Sequence, residues 1–218
     1  MTAKRPSVET RRRTALLATR YLRRADVRLA RLIERIGPYC PVITSDPLVA
    51  LVGSIIHQQV SMSAAAAIRR RLRKLCGGRL TAPRILRMSV EELRAVGLSR
   101  QKAAYVRNIA EAFVVHTLTA ARLRRMSDDE VIAATTALKG VGRWTAEMLL
   151  IFCLERPDIW PVDDFGLRKA AQLFFGLSEM PTPAAIRHLA DPWRPYRSYA
   201  TWYLWRSLDG PIAPRISG

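Results

Sequence analysis

From Thr14 to Ile36 the apolar residues Leu16, Leu17, Tyr21, Leu22, Leu29, Leu32, Ile33 and Ile36 recur at steps of three and four. That spacing places them on one side of a helix, interrupted near Ala25-Asp26 and stopped at Gly37-Pro38. Ser45-Asp46-Pro47 is a helix start, with a capping side chain ahead of a proline whose missing N–H does no harm there. The almost unbroken apolar run Leu48 to Ile56 predicts a buried central helix, which runs out at His57-Gln58-Gln59-Val60-Ser61. A further helix is expected from Ala64 to Leu75, with Arg69-Arg70-Arg71 facing outward and Cys76-Gly77-Gly78 ending it. Two capping boxes follow, Ser89 with Glu92 and Ser127 with Glu130, and between them Gly97 turns the chain into an amphipathic helix from Arg100 to about Val115. Pro183 to Leu208 gives two more helices, separated by Asp191-Pro192-Trp193-Arg194-Pro195. No stretch sustains a period of two between turn signals, so the expected fold class is all-α.

Composition narrows the partner more than the fold. A chain of 218 residues with a hydrophobic fraction of 49% can bury a core as one domain or two joined lobes. Its net charge of +18 calls for a polyanion, and nucleic acid is favoured over a membrane because no long apolar run or anchor is present. Cys40, Cys76 and Cys153 lack C-x-x-C spacing and read as small buried hydrophobes in a reducing compartment. With His57, His116 and His188 equally dispersed, neither a zinc site nor an iron–sulfur cluster is expected. No secretory signal is read, so a cytoplasmic, bacterial location is expected. Residues 1–13, rich in Lys and Arg, are expected to form a flexible basic arm.

The chemistry concentrates in two stretches. In Leu138-Lys139-Gly140-Val141-Gly142-Arg143-Trp144-Thr145-Ala146 a glycine turn joins two helical segments. Glycines let the backbone approach a ligand closely, and the amides that open the following helix make an anion site favoured by the helix dipole. Lys139, Arg143 and Thr145 are expected to add side-chain donors for a phosphate. A lone G-x-G would also suit an ordinary helix corner. About twenty residues later, Pro161-Val162-Asp163-Asp164-Phe165-Gly166 places two carboxylates at the opening of another helix. One aspartate there serves as an N-cap, so local features leave Asp164 open as either cap or catalyst.

Together these stretches resemble the helix-hairpin-helix and the Gly/Pro-rich loop with aspartate of the HhH-GPD superfamily of DNA glycosylases. Val-Gly-Arg-Trp-Thr-Ala with Pro-x-Asp-Asp-aromatic is similar to the 3-methyladenine DNA glycosylase II branch, in a compact form without an N-terminal α/β domain. The likeness extends to Ser54–Ser61 and Trp193–Ala200 and covers roughly residues 20–208. It implies a two-lobed helical bundle with a catalytic cleft between lobes, the terminal segments 14–45 and 166–218 forming one lobe and 46–165 the other. It implies that Asp164 is catalytic, stabilising an oxocarbenium-like sugar and assisting water. Bifunctional members carry a lysine nucleophile where this chain has Trp144, so the resemblance implies base removal without strand cleavage. Trp144, Phe165 and Trp205 would stack a flipped, electron-poor base, with Met148 and His57 lining the pocket. Gln59 stands at the place of the wedge that fills the vacated stack, with Gln58 beside it on the DNA side. In related proteins hairpin carbonyls hold a monovalent cation; the matching positions are Thr136, Leu138 and Val141, and no cofactor is implied for catalysis.

The reading is therefore a monomeric, monofunctional glycosylase acting on double-stranded DNA with damaged bases, excising cationic alkylpurines such as 3-methyladenine. A non-catalytic helix-hairpin-helix DNA-binding module would share the turn and the charge but needs neither Asp164 nor the aromatic set. A helical glycosylase for deaminated or mismatched bases remains a third reading.

Overall fold

The structure is a computed structural model that describes residues 6–209. Among these residues it is helical throughout, with no strand. The helices are α1 (Val8–Ala25), α2 (Val27–Ile36), α3 (Pro47–His57), α4 (Met62–Leu75), α5 (Ala82–Leu86), α6 (Val90–Ala95) and α7 (Arg100–Val114). There follow α8 (Ala120–Arg125), α9 (Asp128–Thr136), α10 (Arg143–Phe152), α11 (Phe165–Phe175), α12 (Pro183–Leu189) and α13 (Arg197–Ser207), with a 3₁₀ turn at Asp191–Trp193. None of them is long and apolar enough to cross a membrane.

The expected basic arm is corrected for its second half. Ser7 accepts the Thr10 amide at 3.0 Å and opens α1 at Val8, so Arg11 to Arg13 lie in a helix. The cap satisfies a first-turn amide, and arginine is a good helix former, so the turns hold with little burial. Residues 1–5 of that arm lie outside the described residues. Both capping boxes form as read, at Ser89/Glu92 and Ser127/Glu130. The cysteines divide: Cys76 and Cys153 are buried, whereas Cys40 is exposed in the segment after α2. Burial pushes the Cys76 thiol pKa up, so it behaves as the small apolar group expected.

The chain forms two compact units. The first is the continuous stretch Ile43–Glu155, carrying α3 to α10. Its core is built on α3, whose Leu51, Val52, Ile55 and Ile56 are fully buried, and α3 packs against α4, α7 and α10.

The second unit joins α1 and α2 to the described residues after Glu155, which carry α11, α12 and α13. Trp193, fully buried, is its centre: Phe175 stacks on it at 5.7 Å and Trp160 meets it edge-on at 5.7 Å. The boundary falls at Glu155/Arg156 rather than at 165/166, because Trp160 and Val162 are buried in this core with Leu167 and Ile186. Polar bonds fix the same segment. Arg197 holds Asp158 with two guanidinium bonds at 2.7 and 3.0 Å, and Ser198 Oγ accepts the Ile159 amide at 2.8 Å.

Candidate active site

The hairpin of the first unit begins where α9 ends. Gly140 adopts φ +88°, a region that only glycine enters without strain. A Cβ there would lie 2.2 Å from the Tyr105 ring, so the aromatic floor of α7 also demands glycine. Gly142 differs. It sits at ordinary φ −90° as the N-cap of α10, offers no side-chain cap, and has no atom within 4 Å of where a Cβ would stand. The amides of the first turn of α10 have no intrahelical acceptor, and open space lies in front of Gly142. This is the geometry an anion needs.

The side chains around that turn divide. Lys139 is exposed and available to a phosphate. Arg143 is exposed, but its Nε donates to Glu147 Oε1 at 3.1 Å, and Glu147 is only 3% exposed. The buried carboxylate thus aims the guanidinium and offsets part of its charge, a partner the sequence pattern did not single out. Thr145, expected as a side-chain donor, is 3% exposed, because it lies on the inward face of α10 with Ala146 and Leu149. Its hydroxyl is not offered at the surface. Trp144 stands 42% exposed on the opposite face, and Met148, one turn on, is half-buried.

The loop after α3 is tied to the hairpin. The Gln58 side-chain amide donates to the Gly140 carbonyl at 3.0 Å, so its expected DNA-facing role is taken by an internal strut. Lys102 of α7, which sequence reading missed, donates Nζ to the carbonyls of Ile56 at 3.1 Å and Gln58 at 2.5 Å. Burial lowers the Lys102 pKa from its usual value. His57 Nδ1 bonds the Gly53 carbonyl at 2.7 Å, which requires a proton on that nitrogen. Gln59 is exposed at φ +54°, an unusual setting for a side chain, held at the tip of a braced loop.

In the second unit the turn Pro161–Asp164, closed by the Asp164 amide on the Pro161 carbonyl at 2.9 Å, leads into α11. Asp164 is its N-cap, Oδ1 accepting the Leu167 amide at 2.5 Å. The same oxygen accepts the indole Nε1–H of Trp205, from α13, at 2.8 Å. Cap and candidate catalyst are thus one residue. Phe165 beside it is 69% exposed. Gly166 allows the arrangement: a Cβ there would lie 3.2 Å from Asp164 Oδ1 and 3.5 Å from the Trp205 indole. The expected residues therefore gather in two groups: His57, Gln58, Gln59 and the hairpin with Trp144 and Met148 in one unit, and Asp164, Phe165 and Trp205 in the other. Among the described residues no group of three His, Cys, Asp or Glu side chains could hold a metal ion.

An all-α chain with a glycine hairpin presenting helix-opening amides, and an aspartate at the end of a braced loop, defines a helix-hairpin-helix protein with an added acid. Residues 52–195 match the profile described as HhH-GPD superfamily base excision DNA repair protein, and the chain belongs to that family. DNA-3-methyladenine glycosylase 1 of Schizosaccharomyces pombe is 34% identical over 196 residues, 85% of this chain and 86% of its own length. The alkylbase DNA glycosidase-like protein mag2 of the same yeast is 32% identical over 195 residues, 87% of this chain and 92% of its own. Among solved structures, the S. pombe 3-methyladenine DNA glycosylase Mag1 in complex with abasic DNA has a TM-score of 0.79, covering 87% of this chain and 95% of that one. A DNA-3-methyladenine glycosidase from Bacillus halodurans has a TM-score of 0.80 at 34% identity, covering 87% of this chain and 88% of that one. The family resemblance and the all-α fold are both borne out.

Proposed function

We propose that this protein is a monofunctional DNA glycosylase that removes cationic alkylated purines such as 3-methyladenine from double-stranded DNA, acting as a monomer in base excision repair. The observation that carries the reading is Asp164, capped onto Leu167 and bonded by Trp205, in a family of base excision repair proteins. A carboxylate beside C1′ stabilises the positive charge that grows on the sugar as the glycosidic bond breaks, and orients or deprotonates the attacking water. A purine that already carries a positive charge leaves without a strong acid, so one essential carboxylate suffices. The exposed faces of Trp144 and Phe165 suit such a base, since an electron-rich ring attracts a cation. Mag1, at 34% identity, is described with abasic DNA, the product of this reaction.

Absence of strand cleavage is part of the proposal. A lyase needs an amine to attack C1′, and the hairpin carries Trp144 where that nucleophile stands in bifunctional members. The hairpin carbonyls of Thr136, Leu138 and Val141 are proposed to hold a monovalent cation facing a phosphate. They fit in kind: α9 ends at Thr136, leaving its last carbonyls without helical donors, and the Leu138 oxygen, which accepts the Val141 amide at 3.1 Å, keeps a second lone pair. Exchanging sodium or potassium for tetramethylammonium should then weaken DNA binding.

The test is incubation with methylated duplex DNA, reading released bases and abasic sites for the parent and Asp164→Asn. Release of 3-methyladenine by the parent and its loss in the variant, with DNA binding retained, is the expected result. Equal release by both would remove Asp164 from the reaction. A protein–DNA adduct trapped by borohydride would overturn the monofunctional assignment.

A further inference from the structure

A second concentration of positive charge lies in the first unit, away from the hairpin. A depression of about 760 Å³ is bounded by Arg69, Arg70 and Arg73 of α4, Arg79 of the following turn, and Ser45 and Asp46 before α3. All four arginines are exposed. Arg73 spends its Nε on the Gly78 carbonyl at 2.7 Å, which holds the glycine turn against α4. The guanidinium groups of Arg69, Arg70 and Arg79 have no hydrogen-bond or ion-pair partner among the described residues. The one carboxylate on the rim, Asp46, is engaged in capping α3, its Oδ1 accepting the Leu48 amide at 2.9 Å.

Gathering four like charges around one concavity against a single carboxylate costs free energy, and an anion seated among them reduces that cost. Guanidinium groups suit phosphate because their planar forks donate two bonds to one group. The depression is also well separated from the hairpin. Its rim is the N-terminal end of α3, whereas Gln58, just past the C-terminal end, reaches Gly140. Eleven residues at about 1.5 Å each put the two ends about 16 Å apart. That span is far longer than a single phosphate group, so an anion seated among these arginines is not the one that would sit at the hairpin amides.

We infer that the Arg69/Arg70/Arg73/Arg79 depression is a second DNA phosphodiester site, which holds undamaged duplex and adds to affinity without contributing to base excision. The inference goes beyond the glycosylase reading and rests only on DNA being the partner. Binding to undamaged DNA tests it, so its failure is distinguishable from failure of that reading.

The experiment compares the full chain with the triple variant Arg69→Gln, Arg70→Gln, Arg79→Gln. Glutamine keeps helix propensity, and Arg73, which braces the turn, is left in place. A control variant, Arg13→Gln, Arg20→Gln, Arg24→Gln, removes three exposed charges from α1 of the other unit. Fluorescence anisotropy on an undamaged duplex of about three helical turns, over a series of salt concentrations, gives the slope of log K against log salt. Expected is a slope shallower by about 0.9 for each phosphate that the depression variant no longer neutralises, with a smaller change in the control. The single-turnover rate of base release at saturating enzyme should stay at the parental value. A parental slope, or an equal change in the control, overturns the inference. If in addition the parent binds inorganic tripolyphosphate and the depression variant does not, the depression is assigned to a small phosphate ligand instead of DNA.

Discussion

The Trp205 indole N–H donates to Asp164 Oδ1 at 2.8 Å, the oxygen that also caps α11 through the Leu167 amide at 2.5 Å. Two donors on one oxygen fix the plane of the carboxylate, and one comes from a side chain 41 residues away. Trp205 was expected as a stacking face, and its edge has this second task. A hydrogen bond to a charged group contributes about 1.5–3 kcal/mol, or about 10- to 100-fold in rate where it orients the catalyst. Trp205→Phe keeps an aromatic ring and removes the donor. It should therefore lower the single-turnover rate of base release by about 10- to 100-fold while leaving affinity for damaged DNA nearly unchanged. Weaker binding at an unchanged rate would instead make the ring a stacking surface only.

The two hairpin glycines should separate fold from function. Gly140→Ala meets both a left-handed φ of +88° and the Tyr105 ring at 2.2 Å, and should destabilise the protein by about 2–4 kcal/mol. Adding Tyr105→Ala gives the methyl room but does not relieve the backbone, so rescue in thermal melts should be partial. Gly142→Ala enters ordinary φ with open space around it, and should change stability by no more than about 1 kcal/mol. If a phosphate approaches the α10 amides as proposed, this methyl stands in its way and DNA affinity should fall. Equal melting losses in the two variants would contradict this division.

The difference between these glycines was not visible in the letters G-V-G, because it depends on a ring from α7. Other limits had similar causes. The capping boxes at Ser89 and Ser127 were legible because their partners lie three residues apart. Helices α5 and α8, of five and six residues, are too short to show a period. The start of α1 was missed because Ser7, not an apolar stripe, announces it. Asp164 stands out as a candidate from its neighbourhood in the sequence, but the Trp205 bond does not, nor the bond from Gln58 to Gly140 across 82 residues, nor the hold of Arg197 on Asp158. Residue types with a strong local meaning survive translation from sequence to site. Long-range partners do not.

Acid should weaken the junction between α1 and α2 at a defined place. Burial pushes the Asp26 pKa up, but bonds from the Arg28 side chain and from the Arg28 and Leu29 amides outweigh it, and the pKa lies below its ordinary value. A lowered folded-state pKa means that Asp26 stabilises the protein above the unfolded value of about 3.9, and that this is lost as pH falls through the lower folded value. Asp26→Asn retains a capping side chain but loses the negative charge that faces Arg28. Its melting temperature should lie below the parent's at neutral pH, and the gap should narrow as pH drops below about 4. A gap that stays constant from pH 7 into the acid range would show that the carboxylate charge contributes nothing.

The loop that presents Gln59 makes the sharpest separation of stability from activity. Lys102 pins the carbonyls of Ile56 and Gln58, Gln58 reaches Gly140, and Gln59 sits at φ +54° on the tip. Lys102→Met keeps the stem and removes both charge-assisted bonds, so it should cost about 1–3 kcal/mol and slow base release together. Gln59→Gly acts differently. Glycine relieves the left-handed strain, about 1 kcal/mol, but gains a comparable entropy in the unfolded chain, so the melting temperature should hardly move. If Gln59 is the group that fills the stack after a nucleotide leaves it, the same change should lower base release from duplex DNA while sparing release from single-stranded DNA, where no stack needs filling. Equal losses on both substrates would take the wedge role away from Gln59, and an unchanged rate on both would place the wedge elsewhere in the chain.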